Sequence, residues 1–404
     1  MDAPRDVILV STADWDHPFW TNKQHVACQL AEQGYRVLYV ESLGLRRPSA
    51  KGRDLARIWR RLRRGFAPAR EVRKNIWVVA PLVIPLHGNP LVRRLNDSLL
   101  VASLRRAARR IGFQRPLLWT YNPLVGHLAP RLRAEYLVYH CVDDMTAVPH
   151  APAEAIAAAD EDIARRADLI LTTSPRLQQR FEKLRPRATH YLPNVADYEH
   201  FSRARQPGKE PAELAAIPHP RIGFIGALSD YKVDFEMIAA VARQRPNWQW
   251  VLIGQVGEGQ PETRLAGLDL PNVHLIGPRA YAELPDYLRG FDVATIPSRR
   301  NAYTDSMFPM KFFEYLAAGR CVIATRIPSL AEFSQVAELI DTPAEFIAAL
   351  DRAANGAGPD PAAIEATARR YTWEWRIREM LALLEQHCPR EVGASAAHST
   401  RAAA

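Results

Sequence analysis

The chain has 404 residues, room for two domains of ordinary size. Hydrophobic residues make up 48% of it and charged residues 24%, a globular balance that excludes a fibrous or low-complexity chain. No apolar run reaches the ~18 residues that span a membrane. Residues 1–20 also lack the basic start and long apolar stretch of a secretory signal, so the expected location is the cytosol.

Cys28, Cys141, Cys321 and Cys388 are far apart and form no CxxC pair, a pattern of buried reduced thiols rather than of a disulfide or metal framework. The net charge of +9 is uneven. Between Arg46 and Lys74 stand twelve Lys and Arg against Asp54 and Glu71, which points to an anionic partner. Within that block Leu55, Ile58, Trp59 and Leu62 recur at helical spacing among Arg57, Arg60, Arg61, Arg63 and Arg64. Such a basic amphipathic helix suits an anionic membrane surface, and would make the protein peripheral on the inner face of the cell membrane. A packed helix with a solvated basic rim has the same pattern. No nucleic-acid-binding module is recognisable.

Short apolar runs alternate with helical patterns along the first half. Strands are expected at 6–12, 35–42, 75–81, 116–122, 136–144, 167–174 and 188–194. Between them, helical periodicity covers 22–33, 92–111, 153–166 and a stretch from Pro175. Residues 203–220, rich in proline, charge and alanine, read as a linker. A second series follows, with strands at 221–227, 248–255, 272–278, 292–298 and 320–326, and helices at 233–244, 280–290 and 310–319. The fold class is therefore α/β. Two Rossmann-like domains, 1–202 and 221–388, face each other across a cleft; the last helix may return to the first domain, and 389–404 form a tail. Ligands of such open parallel sheets bind at the carboxyl ends of the strands, so the residues just after each strand matter most.

The most informative stretch is 301–325. A loop passes through Pro309 and Met310 into a helix on which Lys311 and Glu314 share one face. A helix start favours phosphate, and an ammonium there adds a charge-assisted contact. A carboxylate one turn on can accept both hydroxyls of a ribose. The same pair would also suit a solvated surface helix, but the apolar flanks argue against full exposure. In the first domain Asp143 and Asp144 end a strand. One can deprotonate an acceptor hydroxyl while the other caps the next turn. Asn22, Lys23 and His25, after the first strand, are candidate contacts to acceptor or donor.

PMKFFEYLAAGRCVIAT (309–325) resembles the donor-binding motif of the GT-B glycosyltransferases of group 1, family 4, closest to the branch of bacterial surface polysaccharide and teichuronic-acid synthesis. ADLILTTSPRLQQRF with HYLPNVADYEHF, RIGFIGALSDYKVDFEMI, and NVHLIGPRAYAELPDYLRGFDVATIPS resemble further segments of that family in the right order. The resemblance implies a glycosyltransferase, hexosyl-transferring and retaining. It would move a sugar from a UDP- or GDP-linked donor to a lipid-linked or polysaccharide acceptor, without a further cofactor or metal. It implies that Lys311 holds the donor diphosphate and stabilises the leaving group, that Glu314 binds the ribose, and that Gly226 admits the phosphates to the backbone. Lys232 would be a second phosphate cation, and Arg279 would lie beside the base. Asp143 stands where the family's "HD" motif has its histidine, and is the favoured catalytic carboxylate. Ser306 stands where the family often has the first of two glutamates, and Ala227–Leu228 replace the usual arginine step after the glycine. A nucleotide-sugar epimerase on the same fold, or a non-catalytic nucleotide-sugar-binding module, would share the donor half of this pattern.

Overall fold

The computed structural model describes residues 5–17, 20–43, 67–81, 84, 90–258 and 260–389. Residues 44–66, which carry most of the basic amphipathic stretch, lie outside that set, as does the tail beyond 389.

The central strands are apolar runs buried on both faces, as parallel strands covered by helices must be, while the edge strands are more exposed. In the first domain the strands are β1 (Asp6–Val10), β2 (Arg36–Val40), β3 (Arg70–Arg73), β4 (Ile76–Val79), β5 (Leu117–Thr120), β6 (Leu137–Cys141), β7 (Leu169–Thr172) and β8 (Thr189–Tyr191). They form one sheet in the order β3-β4-β2-β1-β5-β6-β7-β8. Every pairing in it is parallel except β3 with β4. β3 was not expected. Its sequence, REVR, has no apolar alternation, and it is an exposed, charged edge that turns back on β4 at Asn75.

The second domain holds β9 (Arg221–Ile225), β10 (Gln249–Ile253), β11 (Val273–Leu275), β12 (Val293–Ile296), β13 (Cys321–Thr325) and β14 (Glu338–Ile340). Their order is β11-β10-β9-β12-β13-β14, and all pairs are parallel. The strand order reverses beside β1 in one sheet, at β1/β5, and beside β9 in the other, at β9/β12. Each reversal leaves a crevice at the carboxyl ends, because the connections leave to opposite faces of the sheet.

Residues 203–220 depart from the linker expectation. Ala204, Leu214 and Ile217 are buried with Tyr287, Leu288 and Phe291, and Arg221 pairs with Glu210 at 2.7 Å. The stretch is thus part of the second domain's core. At the other end of the chain, the helix Trp373–His387 buries Trp373, Ile377, Met380 and Leu384 among first-domain residues such as Val26 and Leu30. The chain therefore crosses between the domains twice. All four cysteines are free thiols, with Cys28, Cys141 and Cys388 buried and Cys321 half-buried.

Candidate active site

The two crevices face each other and enclose a cavity of about 240 Å³. Its first-domain wall is Thr21, Asn22 and Lys23, at the start of the helix Asn22–Glu32 that follows β1, with Val142 and Asp143 after β6. Its second-domain wall is Ala227, Lys232 and Val233 after β9, Pro297, Ser298 and Tyr303 after β12, and Met307, Phe308, Met310 and Lys311 leading into the helix Lys311–Ala317.

Lys311 is placed by backbone chemistry. Its Nζ lies 5.3 Å from the centre of the Phe224 ring. At Gly226, φ is +154° and an added Cβ would come within 2.9 Å of Lys311 Cε and 3.0 Å of Nζ. Glycine at 226 thus leaves the room that the ammonium occupies. Burial pushes the Lys311 ammonium below its usual value, Glu314 raises it again, and Lys232 opposes it. Burial likewise raises the Glu314 carboxyl, with Lys311 acting against the rise. A half-buried cation at the wall of a cavity is a ready partner for a phosphate. Lys232 adds a second cation, its Nζ 5.2 Å from the Tyr231 ring centre and 5.6 Å from that of Tyr303.

Gly226→Ala should strain the backbone, because φ there is +154°, and displace the Lys311 side chain, whose far end yields more easily than backbone; thermal unfolding checks that the variant folds. Nucleotide affinity should drop about tenfold, the loss of one charge-assisted contact of ~1.5 kcal/mol. Calorimetry on this variant is the check, and unchanged affinity would break the link between Gly226 and the ammonium.

The two aspartates after β6 divide their roles. Asp144 caps the turn Met145–Ala147, accepting from the Thr146 N–H at 3.1 Å and from its hydroxyl at 2.5 Å. Asp143 turns to the cavity, where its Oδ1 accepts the Tyr303 hydroxyl at 3.2 Å. Burial, and next Asp143, lifts the Tyr303 hydroxyl well above its usual value, so it stays a donor. Further bonds bind the loop between β12 and the helix Lys311–Ala317 to the first domain. Ser174 Oγ donates to the Ser306 carbonyl at 2.8 Å, and Asn194 Nδ2 donates to the Phe308 carbonyl at 2.7 Å. Asn194 Oδ1 in turn accepts Asn22 Nδ2 at 3.1 Å.

Of the residues expected from sequence, Asn22, Lys23, Asp143, Lys232, Met310 and Lys311 meet at this cavity, with Gly226 against Lys311. Five expected contacts lie outside the lining, among them Glu314, which is half-buried one helical turn after Lys311. Arg279 is turned away from the lining and holds Glu213, Nη2 to Oε2 at 2.7 Å, so this geometry gives it an ion pair rather than a base contact. The Ser306 hydroxyl is buried and donates to the Ala302 carbonyl at 2.8 Å, which leaves it no reach into the cavity. Pro309 opens the following helix, its carbonyl accepting Phe312 N–H at 3.0 Å, outside the lining. His25 stacks on Trp373 at 4.8 Å, and burial, with His200 and Arg73 nearby, pushes it down to about 3. It is a neutral packing residue between the domains.

Sequence reasoning missed Tyr303 and Asn194. An aromatic in a loop reads as packing, and an asparagine before valine as a turn. Among the described residues, no group of three or more His, Cys, Asp and Glu could hold a metal ion.

Residues 219–355 match the family described as glycosyl transferases group 1. A Bacillus subtilis (strain 168) protein, TuaH, named as a teichuronic acid biosynthesis glycosyltransferase, is 27% identical over 364 residues, 85% of this chain and 88% of its own. Among solved structures, the sucrose-phosphate synthase of Thermosynechococcus elongatus superposes with a TM-score of 0.67 at 18% identity, over 95% of this chain and 98% of its own. Anabaena Alr3699/HepE in complex with UDP and glucose gives 0.61 at 16% identity, over 94% of this chain and 100% of its own. At such identities these structures share the fold, two domains of this kind about one cleft.

Proposed function

We propose that this chain, a group 1 glycosyltransferase with the GT-B fold, transfers a hexose from a UDP- or GDP-linked donor to a hydroxyl of a glycan or lipid-linked acceptor in cell-surface polysaccharide synthesis. The observation that carries this reading is the meeting of Gly226, Lys232 and Lys311 at the β9/β12 crevice, directly opposite Asp143. The likeness to the teichuronic acid enzyme supports the surface-glycan setting.

In this reading Lys311 and Lys232 hold the diphosphate, and Glu314 takes the ribose. The acceptor oxygen bonds to the sugar's anomeric carbon as the bond from that carbon to the diphosphate oxygen breaks. The acceptor proton passes to the leaving diphosphate, whose growing charge the two ammonium groups stabilise. Asp143 orients the acceptor hydroxyl, and the anomeric configuration is retained. Protein cations take the part that a divalent ion plays elsewhere, so no metal is needed.

Calorimetry with UDP, GDP, dTDP and ADP tests the donor half. One nucleotide should bind well above the others. Binding of none would remove the donor site.

The basic stretch 46–74 supports docking on an anionic membrane, where a lipid-linked acceptor lies. Leu91 and Leu95, one turn apart on the first domain's helix Pro90–Ile111, are 72% and 49% exposed and add apolar surface. Among the described residues no helix is long and apolar enough to cross the bilayer. Replacing Arg60, Arg61, Arg63 and Arg64 with Gln should lower sedimentation with anionic vesicles about tenfold or more, at ~1 kcal/mol per basic residue. Equal sedimentation of wild type and variant would end the membrane reading.

A further inference from the structure

Lys23 has no role in the donor contacts above. It comes from the first domain, is only 7% exposed, and lines the cavity. Among the described residues it forms no ion pair and no side-chain hydrogen bond; its Nζ rests 5.6 Å from the Tyr121 ring centre. Asp143 attracts it only from beyond ion-pair distance, so keeping this ammonium enclosed costs free energy that a bound anion would offset. Beside it, Asn22 is 3% exposed and its Oδ1 has no partner. Both residues stand in the first turn of the eleven-residue helix Asn22–Glu32, which has no acidic side chain there, so the helix dipole also favours an anion.

Lys23 and Asp143 line the cavity from the first domain, and Lys232 and Lys311 line it from the second. With the diphosphate at Lys311 and Lys232, Lys23 stands across the cavity from it, on the wall that carries the carboxylate assigned to the acceptor.

We propose that Lys23, with Asn22 Oδ1 and the amino end of the helix Asn22–Glu32, forms a subsite for an anionic sugar. Lys23 takes a carboxylate or phosphate on that sugar, and Asn22 Oδ1 accepts one of its hydroxyls. The anion belongs either to the transferred sugar or to the acceptor. The placement rests on the donor reading above, but the subsite's chemistry does not.

Calorimetry on the full chain separates these cases. UDP-glucuronate against UDP-glucose probes the donor sugar. Glucuronate and glucose 1-phosphate against glucose, with and without UDP, probe the acceptor. In at least one pair the anionic probe should bind tenfold or more tighter than the neutral one. Lys23→Gln should reduce that preference below twofold, Lys23→Arg should keep most of it, and UDP affinity should change less than twofold in either. Thermal unfolding confirms that the variants fold. No preference for charge in any pair overturns the proposal. So does a loss of UDP affinity in Lys23→Gln equal to the loss for the anionic probe, which puts Lys23 on the diphosphate. If UDP itself fails to bind the wild type, the donor reading fails, and the nucleotide-free arms still decide the subsite.

Discussion

Lys311→Ala should lower kcat/KM about 100- to 1,000-fold, the usual effect of deleting one preorganised group that meets charge growing in the transition state. The effect is large because a preorganised ammonium at the cavity wall needs no reorganisation as the charge grows, whereas water replacing it would. Lys232 alone then faces the leaving diphosphate. Stability should change little. The cation is half-buried and partly desolvated, so removing it relieves some desolvation cost while opening a small gap. Steady-state rates, nucleotide calorimetry and thermal unfolding make the check together. Loss of rate with an intact melting transition supports the diphosphate role. Turnover within threefold of wild type removes it. Lys311→Arg is a useful companion, because it keeps the charge but not the point geometry, and the larger head meets Gly226.

Lys311 was legible in the sequence because its determinants are local. A helix start, an i,i+3 carboxylate and apolar flanks lie within a few residues, and a motif resemblance adds to them. Gly226 was legible through the motif resemblance, since a glycine closing a strand permits the close approach that a Cβ would block. The residues alone showed Asp143 and Asp144 only as a pair, because which one caps depends on the backbone turn after β6; the motif resemblance is what favoured Asp143 for the cleft. Lys23 was visible as a strand-end residue and no more. Its partners Asp143 and Lys232 are brought to it by folding, from far along the chain. Tyr303 gave no signal at all, as its hydroxyl bond spans 160 positions. The misread stretch 203–220 has a similar cause. Leu214 and Ile217 stand singly among proline and charge, too few to show a period, yet they fill a hole beside Phe291. Arg279 followed the strand where a base contact was expected, but Glu213, from that same misread stretch, captures its guanidinium.

Asp143→Asn tests the other half of the site. The substitution keeps size and one acceptor oxygen, so the Tyr303 bond can survive while the charge is lost. In the proposed reading, with the leaving diphosphate as proton acceptor, Asp143 would orient the acceptor hydroxyl through a hydrogen bond to a charged group. Such bonds are worth ~1.5–3 kcal/mol, so kcat should drop roughly 10- to 150-fold, with nucleotide affinity nearly unchanged. A general base would weigh more, about 100- to 10,000-fold, and would go with inversion at the anomeric carbon. Proton NMR of the product, read with the rate, separates the two: retention with the smaller loss fits the orienting role, and inversion with the larger loss replaces it by base catalysis. Tyr303→Phe isolates the bond between the domains, since it deletes the donor and leaves the Asp143 charge. It should cost about three- to tenfold, close to one ordinary hydrogen bond of ~1 kcal/mol. If Asp143→Asn costs no more than Tyr303→Phe, the carboxylate acts only as a clasp between the domains, and the acceptor hydroxyl must be oriented by another group on the first-domain wall, with Lys23 and Asn22 the side chains nearest at hand.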